Sequence, residues 1–277
     1  MKRVLVFVHG ERPEAAATAK ELATTLAGEG VEVVLPAEDA VVAGLAELGV
    51  DDVLATAPDL VIAVGGDGTM LRAAGVVGRA GPILGVNAGN LGYLTEVEPA
   101  NSLDAVRRVQ RGDFRREQRL RLRGEVPGLA PFEALNEVVV EKAGLGHTIR
   151  VSVSFDDDHF TTYEADGLIV ATPTGSTAYN LSARGPIVDP EVEAMILTPV
   201  SPHMLFDRSM VISPRVRLRL ELQGHRPAVV SADGRRVVEL EPGQALECHA
   251  SDPVELVRFG PRDFHRILKT KFQLPER

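Results

Sequence analysis

A single cysteine among 277 residues excludes an internal disulfide and any zinc cluster built on cysteine ligands. Its scarcity fits a reducing cytoplasm. No apolar run approaches the roughly 18 residues that a membrane span needs. The opening "MKRVLVFVHG" holds five apolar residues before His9, short of a signal-peptide core of about 7–15 residues. It reads as a first β-strand, and the expectation is a soluble, cytoplasmic protein. A formal net charge of −9 argues against a general nucleic-acid or anionic-membrane surface, though it leaves room for a local basic pocket.

The common catalytic signatures are missing as well. No Gly-x-Gly-x-x-Gly occurs, and none of the five lysines follows a glycine as a Walker-type loop requires. The seven histidines never pair at i, i+4, which excludes a His-x-x-x-His metal helix. There is no Gly-x-Ser-x-Gly elbow.

What is present divides into two periods. Across the first hundred residues, "RVLVFVH", "VEVVL", "LVIAV" and "PILGV" read as buried strands with helical stretches between them. "PEAAATAKELATTLAGEG" is one such helix, with Pro13 suited to its first turn and glycines at its end. Strands separated by helices imply a parallel sheet with right-handed crossovers. From about residue 115 the pattern changes to strict alternation, as in "RLRLRGEV", "IRVSVSFDDD" and "RVRLRLELQG", the mark of half-solvated strands. The expected fold class is an α/β domain with a parallel sheet plus an antiparallel β-rich domain. The boundaries fall at 1–112, 113–254 and a C-terminal segment 255–277, where "DFHRILKTKFQL" looks helical and returns to the first domain. Arg115, Arg116, Arg119, Arg121 and Arg123 read as one charged strand face opposite Leu120 and Leu122. They have no aromatic partners for nucleic-acid stacking.

Four polar clusters interrupt these patterns. Gly65, Gly66, Asp67, Gly68 and Thr69 follow an apolar strand and precede a helix. Glycines let backbone N–H groups approach an anion, and the helix dipole favours it. Asp67 is placed to accept a hydroxyl proton or hold a metal, or alternatively to cap the helix. Arg72 lies about one turn on, within reach of a phosphate. A second loop at the same sheet edge contains Asn87, Gly89, Asn90 and Gly92, and reads as a plain turn when taken alone. The amide and carboxylate of Asn136 and Glu137 offer donors and acceptors for sugar hydroxyls. The segment "YEADGLIVATPTGSTAYNLSARGP", residues 163–186, packs hydroxyls and glycines around Tyr179, which is available to stack on a ring.

Together, Gly-Gly-Asp-Gly-Thr after a strand, Asn-Glu at residue 136 and "DGLIVATPTGSTAYNLSARGPI" resemble the NAD kinase family, in order and over nearly the whole chain. Gly-Gly-Asp-Gly alone is shared with lipid kinases and phosphofructokinases, so a lipid or sugar kinase, or a non-catalytic dinucleotide sensor, stays open as an alternative. The resemblance implies transfer of a phosphoryl group to the 2′-hydroxyl of the adenosine ribose of NAD, giving NADP. It implies a divalent cation, magnesium, a donor that is ATP or inorganic polyphosphate, and a homo-oligomer, dimer or tetramer. Carried over by position, Asp67 resembles the proton acceptor, with Gly68 and Arg72 in the phosphate region. Asn136 and Glu137 resemble ribose and dinucleotide contacts, Asp166 approaches the nicotinamide end, and Thr177, Ala178, Tyr179, Asn180, Leu181 and Ser182 line the adenine side. His147 falls near phosphate, and Arg235 follows Asp233-Gly234 at a polar NAD contact. At a further NAD position Glu164 stands where many members are basic, as Arg235 stands where many carry an amide.

Overall fold

Five-residue apolar runs bury both faces of a strand only when a sheet is covered on both sides. That is how the first hundred residues fold. The structure is a computed structural model that describes residues 1–78, 80–89, 92–260 and 264–275. It divides into two compact units, residues 1–118 with 253–277, and residues 119–252.

In the first unit, β1 (Arg3–Val8), β2 (Glu32–Pro36), β3 (Gly49–Val50), β4 (Leu60–Gly65) and β5 (Ile83–Asn87) form a parallel sheet in the order β3-β2-β1-β4-β5. Helix α1 (Pro13–Gly28) begins with its proline in the first turn, where the missing N–H costs nothing. It buries Ala15, Ala19, Leu22, Ala23 and Leu26, a stripe with helical spacing, against β1 and β4. Helices α2 (Ala37–Val42), α3 (Asp67–Val77) and α4 (Ser102–Gln110) complete the covering layers. The chain leaves β1 toward β2 and β3 on one side, then returns to β4 and β5 on the other. The carboxyl ends of β1 and β4 therefore flank the point where strand order reverses, the usual ligand crevice of open α/β sheets.

Strand β6 (Arg115–Glu125) leads into the second unit, which is antiparallel throughout its two main sheets. After β7 (Phe132–Ala134) come β8 (Glu137–Lys142), β9 (Ile149–Phe155), β10 (Asp158–Ala165) and β11 (Gly167–Ala171). A short helix, α5 (Tyr179–Ser182), precedes β12 (Met195–Val200), β13 (Met210–Ile212), β14 (Leu218–Gln223), β15 (Ala228–Ala232), β16 (Arg235–Leu240) and β17 (Ala245–Arg258). One sheet runs β13-β12-β11-β8-β15-β16, and the first part of β17 pairs with β14 beside β9 and β10. Inward residues of both sheets, among them Val138, Val140, Val151, Val153, Leu168, Leu220 and Leu246, share one core. The last residues of β17, from Pro253, and helix α6 (Phe264–Phe272) belong to the first unit, where Leu256 pairs with Ile83.

The arginine-rich strand departs from a simple charged face. Leu122 is buried as expected, but Arg119 and Arg121 are buried too, at 1% and 6% exposure. Arg119 donates to Thr174 Oγ1 at 3.0 Å, and Arg121 donates to the Asp252 carbonyl at 2.8 Å. Each buried guanidinium is kept by a polar partner, as burial of a charge requires.

Candidate active site

The two loops singled out in the first unit meet at the sheet's carboxyl edge. His9 continues β1 by donating its backbone N–H to Val64 O at 3.0 Å, and Ala88 donates to Gly65 O at 2.9 Å. Beside them opens a cleft of about 300 Å³, lined by His9, Gly10, Arg12, Gly66, Asp67, Gly68, Thr69 and Arg72. Gly65 ends β4 and packs against Thr69 and His9. Asn87 and Gly89 of the second loop lie at this edge, while Asn90 lies outside the described residues.

Asp67 is the first residue of α3, and Gly66 precedes it as the cap position without a side-chain cap. Asp67 is thus not the helix cap. Its two carboxylate oxygens accept the backbone N–H groups of Tyr93, at 2.8 Å, and Leu94, at 2.9 Å. Gly92 makes that approach possible, because a Cβ there would overlap the carboxylate. The 92–96 loop is itself anchored. Arg258, 3% exposed, donates to Leu94 O and Glu96 Oε2, both at 3.0 Å, and to Glu117 Oε2 at 3.1 Å. Tyr93 also carries the Lys271 ammonium over its ring at 4.5 Å, and burial plus the Asp67 charge push its hydroxyl above the usual range. The carboxylate is held in one orientation by groups that cannot themselves take its place as proton acceptors.

Arg72 is in the cleft wall, but its guanidinium is already engaged. It donates to both oxygens of Asp39, at 2.6 and 2.7 Å, and to Val8 O at 2.6 Å, and lies over the Phe7 ring at 5.4 Å. Asp39 also accepts the Val8 N–H at 2.6 Å. Arg72 ties α3 to β1 and α2. A second arginine, Arg12, stands in the same wall and donates from Nη1 to Ala88 O at 2.8 Å. The sequence reading passed over His9 and Arg12, although the strand-order rule could have pointed to them once β1 and β4 were placed side by side.

In the second unit, Asn136 and Glu137 enter β8 under a clamp from Asp233. That half-buried carboxylate accepts the N–H groups of Leu135 at 2.8 Å, Asn136 at 2.7 Å and Glu137 at 3.3 Å. Burial raises the Asp233 carboxyl, against the three amide bonds that lower it. Glu137 is only 6% exposed, and its Oε2 is buried without a hydrogen-bond partner. Burial, then the nearby Asp233 charge, push the Glu137 carboxyl up to about 7, opposed by a bond from the Tyr179 N–H. Such a group titrates near neutrality. Asp233 was another omission; its signal was the Asp-Gly pair of a tight hairpin, where Asp233 and Gly234 take φ of 48° and 75°.

The 163–186 segment splits into inward and outward parts. Asn180 is fully buried and spends its side chain internally, donating to Ser176 O and Pro186 O and accepting from Thr198 Oγ1. Thr177, Ala178 and Leu181 are half-buried. Tyr179 is exposed and lines, with Ser182, Arg184, Met204, Arg208 and Ser209, a pocket of about 510 Å³. Asp166 pairs with Lys142 at 2.6 Å, and both border a depression of about 430 Å³ that also holds His147, Thr148, His203 and Arg226. Glu164 accepts Thr148 Oγ1 at 3.1 Å in an adjoining recess, and Arg235 is exposed at the start of β16.

Residues 4–114 match the profile of the ATP-NAD kinase N-terminal domain, and residues 135–259 that of the ATP-NAD kinase C-terminal domain. The chain is 38% identical over 285 aligned positions to the NAD kinase of Syntrophotalea carbinolica, covering all of both chains. It is 45% identical over 228 positions to that of Heliobacterium modesticaldum, covering 78% of each. Among solved structures, an Archaeoglobus fulgidus NAD kinase in complex with ATP superposes with a TM-score of 0.73 at 27% identity, with both chains covered in full. Yeast NADH kinase complexed with NADH superposes at 0.91 with 22% identity, covering all of this chain and 89% of that one, and shows the fold alone. With an oriented carboxylate at the reversal of a parallel sheet, an antiparallel second unit and both halves matched by sequence, the chain belongs to the NAD kinase family and is a phosphotransferase.

Proposed function

We propose that this protein phosphorylates NAD at the 2′-hydroxyl of its adenosine ribose, giving NADP, with ATP as a donor. The observation that carries the proposal is the Asp67 carboxylate, fixed by two backbone amides in a glycine-walled cleft. As the ribose oxygen bonds to the γ-phosphorus and the bond to the leaving diphosphate breaks, Asp67 takes the hydroxyl proton. Positioning and electrostatics carry most of such a reaction.

The remaining roles divide by unit. Glu137, with its unpartnered oxygen, accepts hydrogen bonds from ribose hydroxyls beside Asn136. Tyr179 packs on the adenine within the loop that Thr177, Ala178, Leu181 and Ser182 shape, while Asn180 holds that loop from inside. Asp166, steadied by Lys142, serves the nicotinamide end; His147, Glu164 and Arg235 are outer polar contacts. Gly65, Gly66, Gly68 and Thr69 form the phosphate loop, in which Arg72 is a brace.

Among the described residues no three metal-ligating side chains cluster. Asp67 is the one carboxylate in the cleft wall among the described residues, which suits magnesium, an ion that keeps water and substrate phosphate as most of its ligands. Asp67 and the donor phosphates would hold the ion, which would supply charge neutralisation there. The proposal extends to a cytoplasmic homo-oligomer and to inorganic polyphosphate as a second donor.

The deciding assay incubates the protein with NAD, Mg²⁺ and ATP, and locates the new phosphate by phosphorus NMR. Asp67→Asn is expected to lower turnover by about 10²- to 10⁴-fold with unchanged circular dichroism. No NADP from the wild type favours a dinucleotide sensor, and near-normal turnover in the variant removes Asp67 from the chemistry.

A further inference from the structure

We infer that Arg12 is the side chain that grips the donor's phosphate chain, a role that rests on the reading of the cleft as the phosphoryl-transfer site. Three observations converge on it. The first is charge accounting. Two guanidinium groups line the cleft, but Arg72 is neutralised by the two oxygens of Asp39. Arg12 has no carboxylate partner among the described residues and gives one hydrogen bond, to Ala88 O at 2.8 Å. It is the cation whose charge is left to offset Asp67 and to attract a polyanion into a cleft that already holds a carboxylate.

The second is placement. The Arg12 guanidinium is not on a free arm. It lies against backbone, since a Cβ on Gly89 would overlap it and one on Gly66 would sit 3.6 Å from Nη1. The glycine at 89 is what allows that position, and the bond to Ala88 O fixes it. A planar guanidinium held in this way keeps its other N–H donors in a fixed fork suited to phosphate oxygens. Its neighbour His9 accepts the Glu11 N–H at Nδ1, at 3.2 Å, which places the proton of the neutral ring on Nε2 as a second donor in the wall.

The third is what the wall lacks. Among the described residues, apart from the imidazole of His9, it is glycine, threonine and charge. The cleft recognises phosphate itself, so a nucleoside triphosphate and inorganic polyphosphate share the same grip.

The test measures binding of inorganic tripolyphosphate with Mg²⁺ by calorimetry, and KM for ATP, polyphosphate and NAD. A charge-assisted contact is worth about 10- to 100-fold in affinity. Arg12→Ala is expected to weaken tripolyphosphate binding by that factor and to raise KM for both donors alike, with NAD affinity unchanged. Arg12→Lys, which keeps the charge without the fork, should fall between, and it serves as the readout if the alanine variant loses its melting transition. Unchanged tripolyphosphate affinity, no tripolyphosphate binding to the wild type, a rise in KM for ATP alone, or weakened NAD binding each overturns the assignment. If the wild type makes no NADP, the kinase reading fails, while the tripolyphosphate titration still decides the role of Arg12.

Discussion

Replacing Glu137 by glutamine should change how stability depends on pH, with a sign that is fixed by the structure. The folded protein holds this carboxyl near pH 7, against an ordinary value of 4.5, because the side chain is buried beside Asp233. Below 4.5 both folded and unfolded chains carry the proton. Between 4.5 and 7 the unfolded chain releases it and the folded chain keeps it, so stability falls as pH rises through that window and levels off above 7. At about 1.4 kcal/mol per decade, the interval amounts to roughly 3 kcal/mol. Glutamine cannot titrate, and it retains an oxygen for the Tyr179 N–H. Asp233 is present in both proteins, and its own upward shift has burial as the first cause. Urea denaturation of both proteins without NAD, at pH 5, 6, 7 and 8, gives the comparison. The variant should gain on the wild type steadily from pH 5 to 7 and stay ahead at pH 8. A difference that is constant across the four values would refute the reasoning, because it would place the carboxyl's titration outside the window. A corollary concerns NAD: hydroxyls donating to the carboxylate favour its charged form, so binding at pH 7 should release protons in the wild type and not in the variant.

Two further substitutions probe the supports of Asp67 and of the cleft. Arg258→Met takes the buried guanidinium away from Glu96 and Glu117, and should cost about 3–5 kcal/mol in denaturation; adding Glu96→Gln and Glu117→Gln should restore most of the stability but not kcat, because the bond to Leu94 O stays missing. Arg72→Met leaves the buried Asp39 with the Val8 N–H and no cation, which should cost about 2–3 kcal/mol, discounted for the exposure of Arg72; pairing it with Asp39→Asn should recover stability with donor KM little changed, and a large rise in donor KM would return Arg72 to the phosphate.

Local signals made much of the fold legible. Leu60–Val64 and Ile83–Val86 are unbroken apolar runs, and Pro13 with the Ala-rich stripe after it admits only a helix start. The Gly-Gly-Asp-Gly loop announced itself because backbone stripped of side chains at a strand's end is unusual. Charged side chains were harder to place. Arg72 looked free for phosphate, but Asp39, 33 residues earlier, arrives beside it only once β1 and α2 are folded. Arg119 and Arg121 follow the alternation of an exposed strand face, yet Thr174 and the Asp252 carbonyl cover them from distant segments. Alternation reports which side of a strand a residue takes, and it is silent about what the remainder of the chain brings to that side.

The dependence of Asp67 on Arg258 has a consequence in time. Asp67, the loop that orients it and most of the first unit are synthesised before residue 118, but the guanidinium behind Leu94 arrives 164 residues after that leucine. At roughly 5–20 residues per second, the interval after residue 118 is on the order of 10 s. A nascent chain therefore passes through a stage in which the glycine loop and Asp67 exist and the clamp that aims them does not. Assembly of the proton acceptor waits for one of the last strands to be made, so a chain abandoned by the ribosome at residue 250 should be inert even where its α/β sheet has formed.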